Sequence, residues 1–166
     1  PPRVLDEVSL AAQQGECLSV VAYNRRDVTM LLQVLAGLRA PHSGSVHLRD
    51  DAAAASSSQL RRAVAYATLA LVPAQALTVG EYLQFAVTVR AVRPRVTASD
   101  AAARMGLEPG ASLLRLSVGD RAGLAIAAAL MLDTPVAIVD IDVDALGTRA
   151  QRALDWLSDA RAAGTA

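Results

Sequence analysis

An unbroken apolar run that ends in a carboxylate constrains the fold of this chain more than any other part of the sequence. Residues 135–139 read Pro-Val-Ala-Ile-Val, and Asp140 follows them. Short runs of this kind are typical of strands in a parallel sheet, where helices cover both faces. The run therefore predicts a buried parallel β-strand with Asp140 at its C-terminal end.

Strand-like and helix-like segments alternate along the chain, which predicts an α/β domain. Apolar or alternating runs predict strands at 4–10, 17–22, 45–48, 64–67 and 135–139. Helical spacing of apolar residues predicts helices at 28–38, 78–91, 99–105, 117–132 and 148–162. A stretch rich in Asp, Ala and Ser at 50–58 predicts a loop or a short helix.

Two of the predicted helices begin with the spacing of a capping box, in which a hydroxyl residue is followed three positions later by an acidic one. Thr78 stands before Glu81 in this way, and Ser117 stands before Asp120. The helix at 148–162 is expected to pack through three apolar residues, Ala153, Leu154 and Leu157.

Composition limits the possible functions. The chain has 166 residues, which suits one domain, and its zero net charge argues against a general nucleic-acid binder. All sixteen basic residues are Arg, so a mechanism that needs a lysine is excluded. A single cysteine, no leader-like N-terminus and no apolar stretch of about 18 residues lead us to expect a cytoplasmic protein without direct membrane insertion.

One candidate anion site is the polar loop between the predicted strand at 17–22 and the helix at 28–38. Phosphate-binding loops use glycines, a lysine and a helix N-terminus. This loop has the helix but neither glycine nor lysine, and it reads Ala22, Tyr23, Asn24, Arg25, Arg26, Asp27, Val28, Thr29. Taken alone, it favours an ordinary strand-to-helix turn.

Two further features are equally ambiguous when each is taken alone. Ser117 and Gly119 at a helix N-terminus fit either an anion site or a simple N-cap, and the cap is favoured. Asp140 at a strand end fits either a ligand contact or an ordinary polar strand terminus. The sequence predicts no metal site and no catalytic Ser/His/Asp or Cys/His arrangement.

The order and spacing of these segments resemble the ATP-binding cassette (ABC) ATPase domain. The resemblance covers nearly the whole chain and is carried by residues 4–10 with 15–16, 31–38 with 41–46, 77–83, 116–121 and 125–140. It implies a P-loop NTPase-like ABC ATPase fold. That fold has a mainly parallel core sheet, antiparallel β elements near the N-terminus and a helical subdomain, here reduced and expected at approximately 78–118. Residues 1–166 would form a single degenerate domain.

The chain departs from the family pattern at the positions that perform catalysis. By resemblance, Val28 stands in place of the phosphate-binding lysine, Leu69 in place of the glutamine, and Ile141 in place of the catalytic glutamate. Isoleucine cannot accept a proton or orient water. The resemblance therefore implies a chain without catalytic residues, which is not an enzyme.

What remains is a vestigial nucleotide site. Its residues, by resemblance, are Asn24, Arg25, Arg26, Asp27, Val28, Thr29 and Asp140, with Ser117 and Gly119 as contacts to a nucleotide held by a partner. Thr29 keeps the magnesium-binding hydroxyl, so weak binding of ATP and magnesium stays open, although no resident cofactor is expected. Asp27 is expected to cap the helix that follows it, where phosphate would otherwise bind.

The family resemblance implies a function through protein contacts. We expect a non-catalytic pseudo-ATPase that pairs with an active ABC ATPase subunit, a permease or a second copy of itself, and that reaches the membrane only through a permease. Two alternatives remain: a weak ATP-binding subunit of an ABC transporter, with Arg25 or Arg26 replacing the lysine, and a stand-alone structural or interaction domain.

Overall fold

Two parallel strands form the central sheet of this α/β fold. The computed structural model describes residues 5–48, 54–73 and 76–165. Strand β1 (Val64–Thr68) pairs with strand β2 (Val136–Asp140), and the register places Val64 beside Val136 and Thr68 beside Asp140. The carboxyl ends of both strands therefore meet at one edge of the sheet.

Seven α-helices surround this pair in the described residues. They are α1 (Arg25–Leu35), α2 (Ser57–Ala63), α3 (Val79–Arg90), α4 (Ala98–Arg104), α5 (Val118–Leu130), α6 (Val143–Leu146) and α7 (Ala150–Ala162). Short 3-10 turns follow β1 at Leu69–Leu71, precede α5 at Leu113–Arg115 and precede α7 at Gly147–Arg149. No helix in the described residues has the length and apolar character that a membrane crossing needs.

The predicted capping boxes are confirmed. The Thr78 and Glu81 side chains bond each other's backbone N–H groups at the start of α3, and Ser117 and Asp120 do the same at the start of α5. These boxes are short-range features, which is why the sequence predicts both starts to within one residue.

Alternating side chains of the strands pack against helices on opposite faces of the sheet. Ala65 and Ala67 of β1 belong to the main core together with α5, whereas Val64 joins Ile138 of β2 in a smaller cluster with α1. This follows from the two-residue period of a strand. The small alanines allow α5 to pack closely, and its residues 122–127 are all buried.

The turn that ends α1 is fixed by a close approach of α2. Gly37 has a φ of 68°, and a Cβ at this position would lie 2.7 Å from both the Leu60 Cβ and the Ser57 carbonyl oxygen. Only glycine fits without displacing α2. Arg61 adds a hydrogen bond of 2.9 Å from its Nη1 to the Gly37 carbonyl oxygen.

The strands predicted near the N-terminus are not formed as hydrogen-bonded strands in the described part of residues 4–48. Of the run 17–22, only Val20 is half-buried, and it packs against the α1 cluster. The prediction of a buried strand at 17–22 is wrong, because no described strand pairs with this run and its side chains other than Val20 are exposed. The predicted loop or helix at 50–58 lies partly outside the described residues, and α2 begins at Ser57.

The packing prediction for the last helix is partly wrong. Ala153 is buried and Leu157 is half-buried, but Leu154 is 53% exposed. Trp156 is buried instead, and the Arg104 guanidinium lies 5.3 Å from the centre of its ring. Leu154 is rotated by about 100° from Ala153 on the helix, which takes it off the packed face. The helical subdomain boundary at 78–118 stays a prediction, although α3 and α4 do lie in that range.

We predict that Ser117→Ala lowers the free energy of unfolding by about 1 kcal/mol, because α5 loses its capping box. Urea denaturation of the two proteins measures the difference. Ser158→Ala is the matched control, since Ser158 is exposed within α7 and should change stability little. Equal effects of the two substitutions would contradict the capping role.

Candidate functional site

The buried carboxylate of Asp140 is the centre of the candidate site. Asp140 ends β2 and is only 6% exposed. Its Oδ1 accepts a hydrogen bond of 3.1 Å from the Thr29 hydroxyl, and its Oδ2 accepts one of 2.6 Å from the Tyr66 hydroxyl. A charge buried without partners costs several kcal/mol, so these contacts make the position tolerable.

Arg25 supplies the positive charge that balances this carboxylate. Its Nη2 lies 3.3 Å from the Asp140 Oδ1 and 3.4 Å from the Asp140 carbonyl oxygen, and its Nη1 pairs with the Asp142 carboxylate. Arg25 and Asp142 are both about half exposed, whereas Asp140 is not. The pair with the buried Asp140 therefore matters more for stability than the pair with Asp142.

The Tyr66 hydroxyl is held as a hydrogen-bond donor. Burial raises the pKa of Tyr66 above its ordinary value, and the hydrogen bond to Asp140 and the Asp140 charge raise it further. The Gln33 side chain and the Arg25 charge lower the pKa by less, so the net shift is upward. Tyr66 therefore stays protonated across the physiological range and donates to Asp140.

Asn24 caps the helix that carries Thr29 and Arg25. Its Oδ1 accepts a hydrogen bond of 3.0 Å from the backbone N–H of Arg26. The expectation that Asp27 would cap this helix is wrong, because α1 begins at Arg25 and Asp27 lies inside its first turn. A carboxylate in the first turn still interacts favourably with the helix dipole.

The candidate site brings α1, β1 and β2 together at the edge of the sheet where both strands end. Comparison with known proteins identifies the family of the chain. The family described as ABC transporter matches residues 5–141 of this chain. The chain belongs to the ABC transporter family.

Curated relatives in this family are considerably longer than the chain. The arabinose import ATP-binding protein AraG of Azospirillum brasilense is 33% identical over 159 residues, which covers 89% of this chain and 30% of that protein. The cytochrome c biogenesis ATP-binding export protein CcmA of Cupriavidus necator is 34% identical over 152 residues, which covers 86% of this chain and 67% of that protein. The chain thus spans about a third of the length of the arabinose relative.

Solved structures of ABC proteins share the fold. The ATP-binding subunit of an ABC transporter superposes with a TM-score of 0.69 at 19% identity, covering 98% of this chain and 70% of that one. The cbiO1 protein of Clostridium perfringens superposes with a TM-score of 0.70 at 18% identity, covering 98% and 68%. The predicted P-loop NTPase-like ABC ATPase fold is confirmed.

The three residues that the sequence analysis predicts in place of catalytic side chains are all apolar. Val28 packs against the small cluster that contains Leu32 and Ile138. Leu69 begins the 3-10 turn after β1 and packs against the main core, and Ile141 follows β2 and is 9% exposed. None of the three side chains can bind a phosphate or polarise water.

The signature region of the ABC resemblance lies at the start of α5. The Ser117 hydroxyl donates to Asp120 Oδ2 at 2.7 Å and accepts from the Asp120 N–H at 3.1 Å, so its bonding capacity serves the cap. A Cβ on Gly119 would lie 3.2 Å from the Leu146 carbonyl oxygen, so glycine allows α6 to pack here. The contacts of Ser117 and Gly119 are thus separate from those of the Asp140 cluster.

The Asp120 carboxylate also forms an ion pair with the Arg149 guanidinium. Burial raises its pKa, but hydrogen bonds from Ser117 and the charge of Arg149 outweigh that effect and leave the pKa below its ordinary value. The N-terminus of α5 is therefore occupied by the chain's own carboxylate.

The sequence analysis assigned no role at this site to Tyr66, Gln33 or Asp142. The one signal for Tyr66 was its place in a predicted strand beside the strand of Asp140, since parallel neighbours end at the same edge. For Gln33 the signal was its spacing of four from Thr29 on a helix.

We predict that Asn24→Ala lowers the free energy of unfolding by about 1 kcal/mol, the usual value for loss of an N-cap. Asp27→Ala should cost less, about 0.3–1 kcal/mol, because only a helix-dipole interaction is lost. Urea denaturation of both variants decides the order. A larger loss for Asp27→Ala would restore Asp27 as the cap.

We predict that stability falls above about pH 10 partly through Tyr66. The unfolded chain loses the tyrosine proton near pH 10, whereas the folded chain retains it, so the unfolded state binds fewer protons as pH rises. The chain has no lysine, so tyrosines dominate this range. Between pH 10 and 11.5 the free energy of unfolding should fall more steeply in the wild type than in Tyr66→Phe.

The control for this measurement is Tyr23→Phe, because the Tyr23 side chain is fully exposed. Its pH slope should equal that of the wild type. Burial also raises the pKa of Tyr82, but this residue contributes equally to all three proteins. Identical slopes for Tyr66→Phe and the wild type would contradict the protonated Tyr66–Asp140 contact.

Proposed function

We propose that this chain is a non-catalytic ABC ATPase-like domain, a pseudo-ATPase, that acts through protein contacts as a subunit or regulator of an ABC transporter. The observation that carries the proposal is the Arg25 guanidinium, which binds the carboxylates of Asp140 and Asp142. By family resemblance Asp140 belongs to the magnesium and nucleotide site, and here a cation of the protein itself satisfies it.

The apolar residues support the same proposal. Phosphoryl transfer depends on positioning and on charge that stabilises the phosphates. Val28 carries no charge at the position that the family resemblance gives to the phosphate-binding lysine. Its side chain packs against the small cluster that contains Leu32 and Ile138. Leu69 and Ile141 offer no group that could orient water. We therefore assign the chain no catalytic residue, no metal and no resident cofactor.

A partner would carry the transport function. The named relatives are import and export ATP-binding proteins. Under this proposal the chain binds an active ABC ATPase subunit, a permease or a second copy of itself, and it resides on the cytoplasmic side, reaching the membrane through a permease. In a pair, Ser117 and Gly119 would face a nucleotide held by the partner.

A specific observation favours a second candidate, a weak ATP-binding subunit. The Thr29 hydroxyl and the Asp140 carboxylate, both of which the family resemblance places at the magnesium and nucleotide site, lie 3.1 Å apart. Arg25 or Arg26 would then hold phosphate in place of lysine, and arginine is a capable phosphate ligand. A stand-alone structural or interaction domain is the third candidate, and a permease encoded beside the gene would argue against it.

We predict no saturable binding of magnesium-ATP by calorimetric titration up to millimolar concentration, no thermal stabilisation and no release of phosphate. A ligand at 100 times its Kd stabilises a protein by about 2.7 kcal/mol, so weak binding would be detected as a thermal shift. The physical reason is the loss of the lysine contact together with the Arg25–Asp140 pair.

Two arginine variants distinguish the pseudo-ATPase from the weak ATP-binding subunit. Saturable binding that is lost in Arg25→Gln but retained in Arg115→Gln, an exposed arginine of the turn before α5, would make the weak ATP-binding subunit the better proposal. Release of phosphate that depends on Asp140 would overturn the pseudo-ATPase proposal altogether.

A further inference from the structure

One arginine joins three segments that are distant in the sequence. Arg95 lies in the link between α3 and α4, and its side chain is 28% exposed. Its Nε donates to the Asp133 Oδ1 at 2.8 Å, and its Nη1 donates to the Thr165 hydroxyl at 2.6 Å. Its Nη2 donates to the Thr134 carbonyl oxygen at 3.3 Å. Each nitrogen of the guanidinium therefore has an acceptor.

The three acceptors belong to two other parts of the fold. Asp133 and Thr134 lie in the turn between α5 and β2, whereas Thr165 follows α7. They lie 38, 39 and 70 residues from Arg95, so no single element determines the arrangement. Because a guanidinium is planar and rigid, its bond to one acceptor orients it toward the others. Arg95 therefore sets the turn, the α3–α4 link and the end of α7 relative to one another.

The main chain also attaches the α3–α4 link to this turn. The Arg95 N–H donates to the Met131 carbonyl oxygen at 2.7 Å, and the Asp133 N–H donates to the Arg93 carbonyl oxygen at 2.9 Å. The link is thus held to the turn by backbone hydrogen bonds as well as by the guanidinium.

The end of α7 is attached to the turn in a different way. Thr165 is only 7% exposed, and its N–H donates to the Ala160 carbonyl oxygen at 3.0 Å. Among the described backbone hydrogen bonds, none joins the end of α7 to the turn. A buried hydroxyl that loses its hydrogen-bond partner is destabilised. The Arg95 side chain is therefore the polar connection between the end of α7 and the turn.

We propose that Arg95, Asp133, Thr134 and Thr165 form a latch through which the α3–α4 link and the end of α7 open and close together. Both segments bond the same guanidinium, so displacement of either one breaks contacts that hold the other. A partner that moves α3 or α4 would in this way change the end of α7 without acting through Asp140. This coupling requires neither a bound nucleotide nor the proposed function.

Hydrogen exchange of single backbone amides, measured by NMR across low urea concentrations, tests the latch. The reporters are the amides of Arg95, Asp133 and Thr165, because each donates to a carbonyl oxygen when the latch is closed. Segments that open in one event exchange with the same opening free energy and the same urea dependence. We expect the three wild-type amides to agree in both, although the last turn of a helix normally frays independently.

Arg95→Gln should uncouple the two segments. The amides at positions 95 and 133 should still open together, because backbone hydrogen bonds join the link to the turn. The Thr165 amide should separate from them and exchange at least about tenfold faster, since loss of a charge-assisted hydrogen bond has an effect of that order. Thr165→Val removes the hydroxyl but keeps the Arg95–Asp133 pair, so it should produce the same separation, and it carries the test if Arg95→Gln does not fold.

Arg161→Gln is the matched control, because Arg161 is an exposed arginine of α7 near the same end. The three amides should still open together in this variant. Different opening free energies among the wild-type amides, a Thr165 amide that stays with the others in both latch variants, or the same separation in Arg161→Gln would overturn the latch. Phosphate release from ATP would contradict the proposed function and leave the exchange result unaffected.

Discussion

The structure around the sheet edge depends on one buried carboxylate that must be neutralised. Asp140 lies at the end of β2 where little water reaches it, so each of its oxygens needs a donor from another element. Thr29 and Arg25 come from α1, and Tyr66 comes from β1. The electrostatic requirement of a single side chain thus fixes the position of α1 relative to both strands. The small cluster of Leu32, Val64 and Ile138 supplies apolar contacts in the same interface.

Under the proposed function, the arrangement replaces an external ligand with an internal one. In a site built for a metal ion and phosphates, the carboxylate at the strand end is balanced only when the ligand is bound. Here the Arg25 guanidinium lies beside it, and the Asp142 carboxylate pairs with the other terminal nitrogen of the guanidinium. Displacing Arg25 would remove the positive charge beside this buried carboxylate, which would keep only its hydrogen bonds from Thr29 and Tyr66.

The sequence predicts short-range structure well and long-range structure poorly, for physical reasons. Thr78 with Glu81 and Ser117 with Asp120 are three residues apart, so each helix start is encoded locally. The bond between Tyr66 and Asp140 spans 74 residues, and no local pattern specifies it. Fold class and family followed from the order of segments. The strand at 17–22 was predicted wrongly because burial of an apolar run depends on neighbours that the run does not determine.

The start of α1 illustrates how a small error in a boundary changes an assigned role. Placing the helix start at Val28 made Asp27 the cap, whereas the helix starts at Arg25 and Asn24 caps it. That shift of three residues also brings Arg25 into the first turn, from which its side chain reaches the sheet edge. A cation at a helix N-terminus is unfavourable by itself. Its position is therefore maintained by the carboxylates of Asp140 and Asp142.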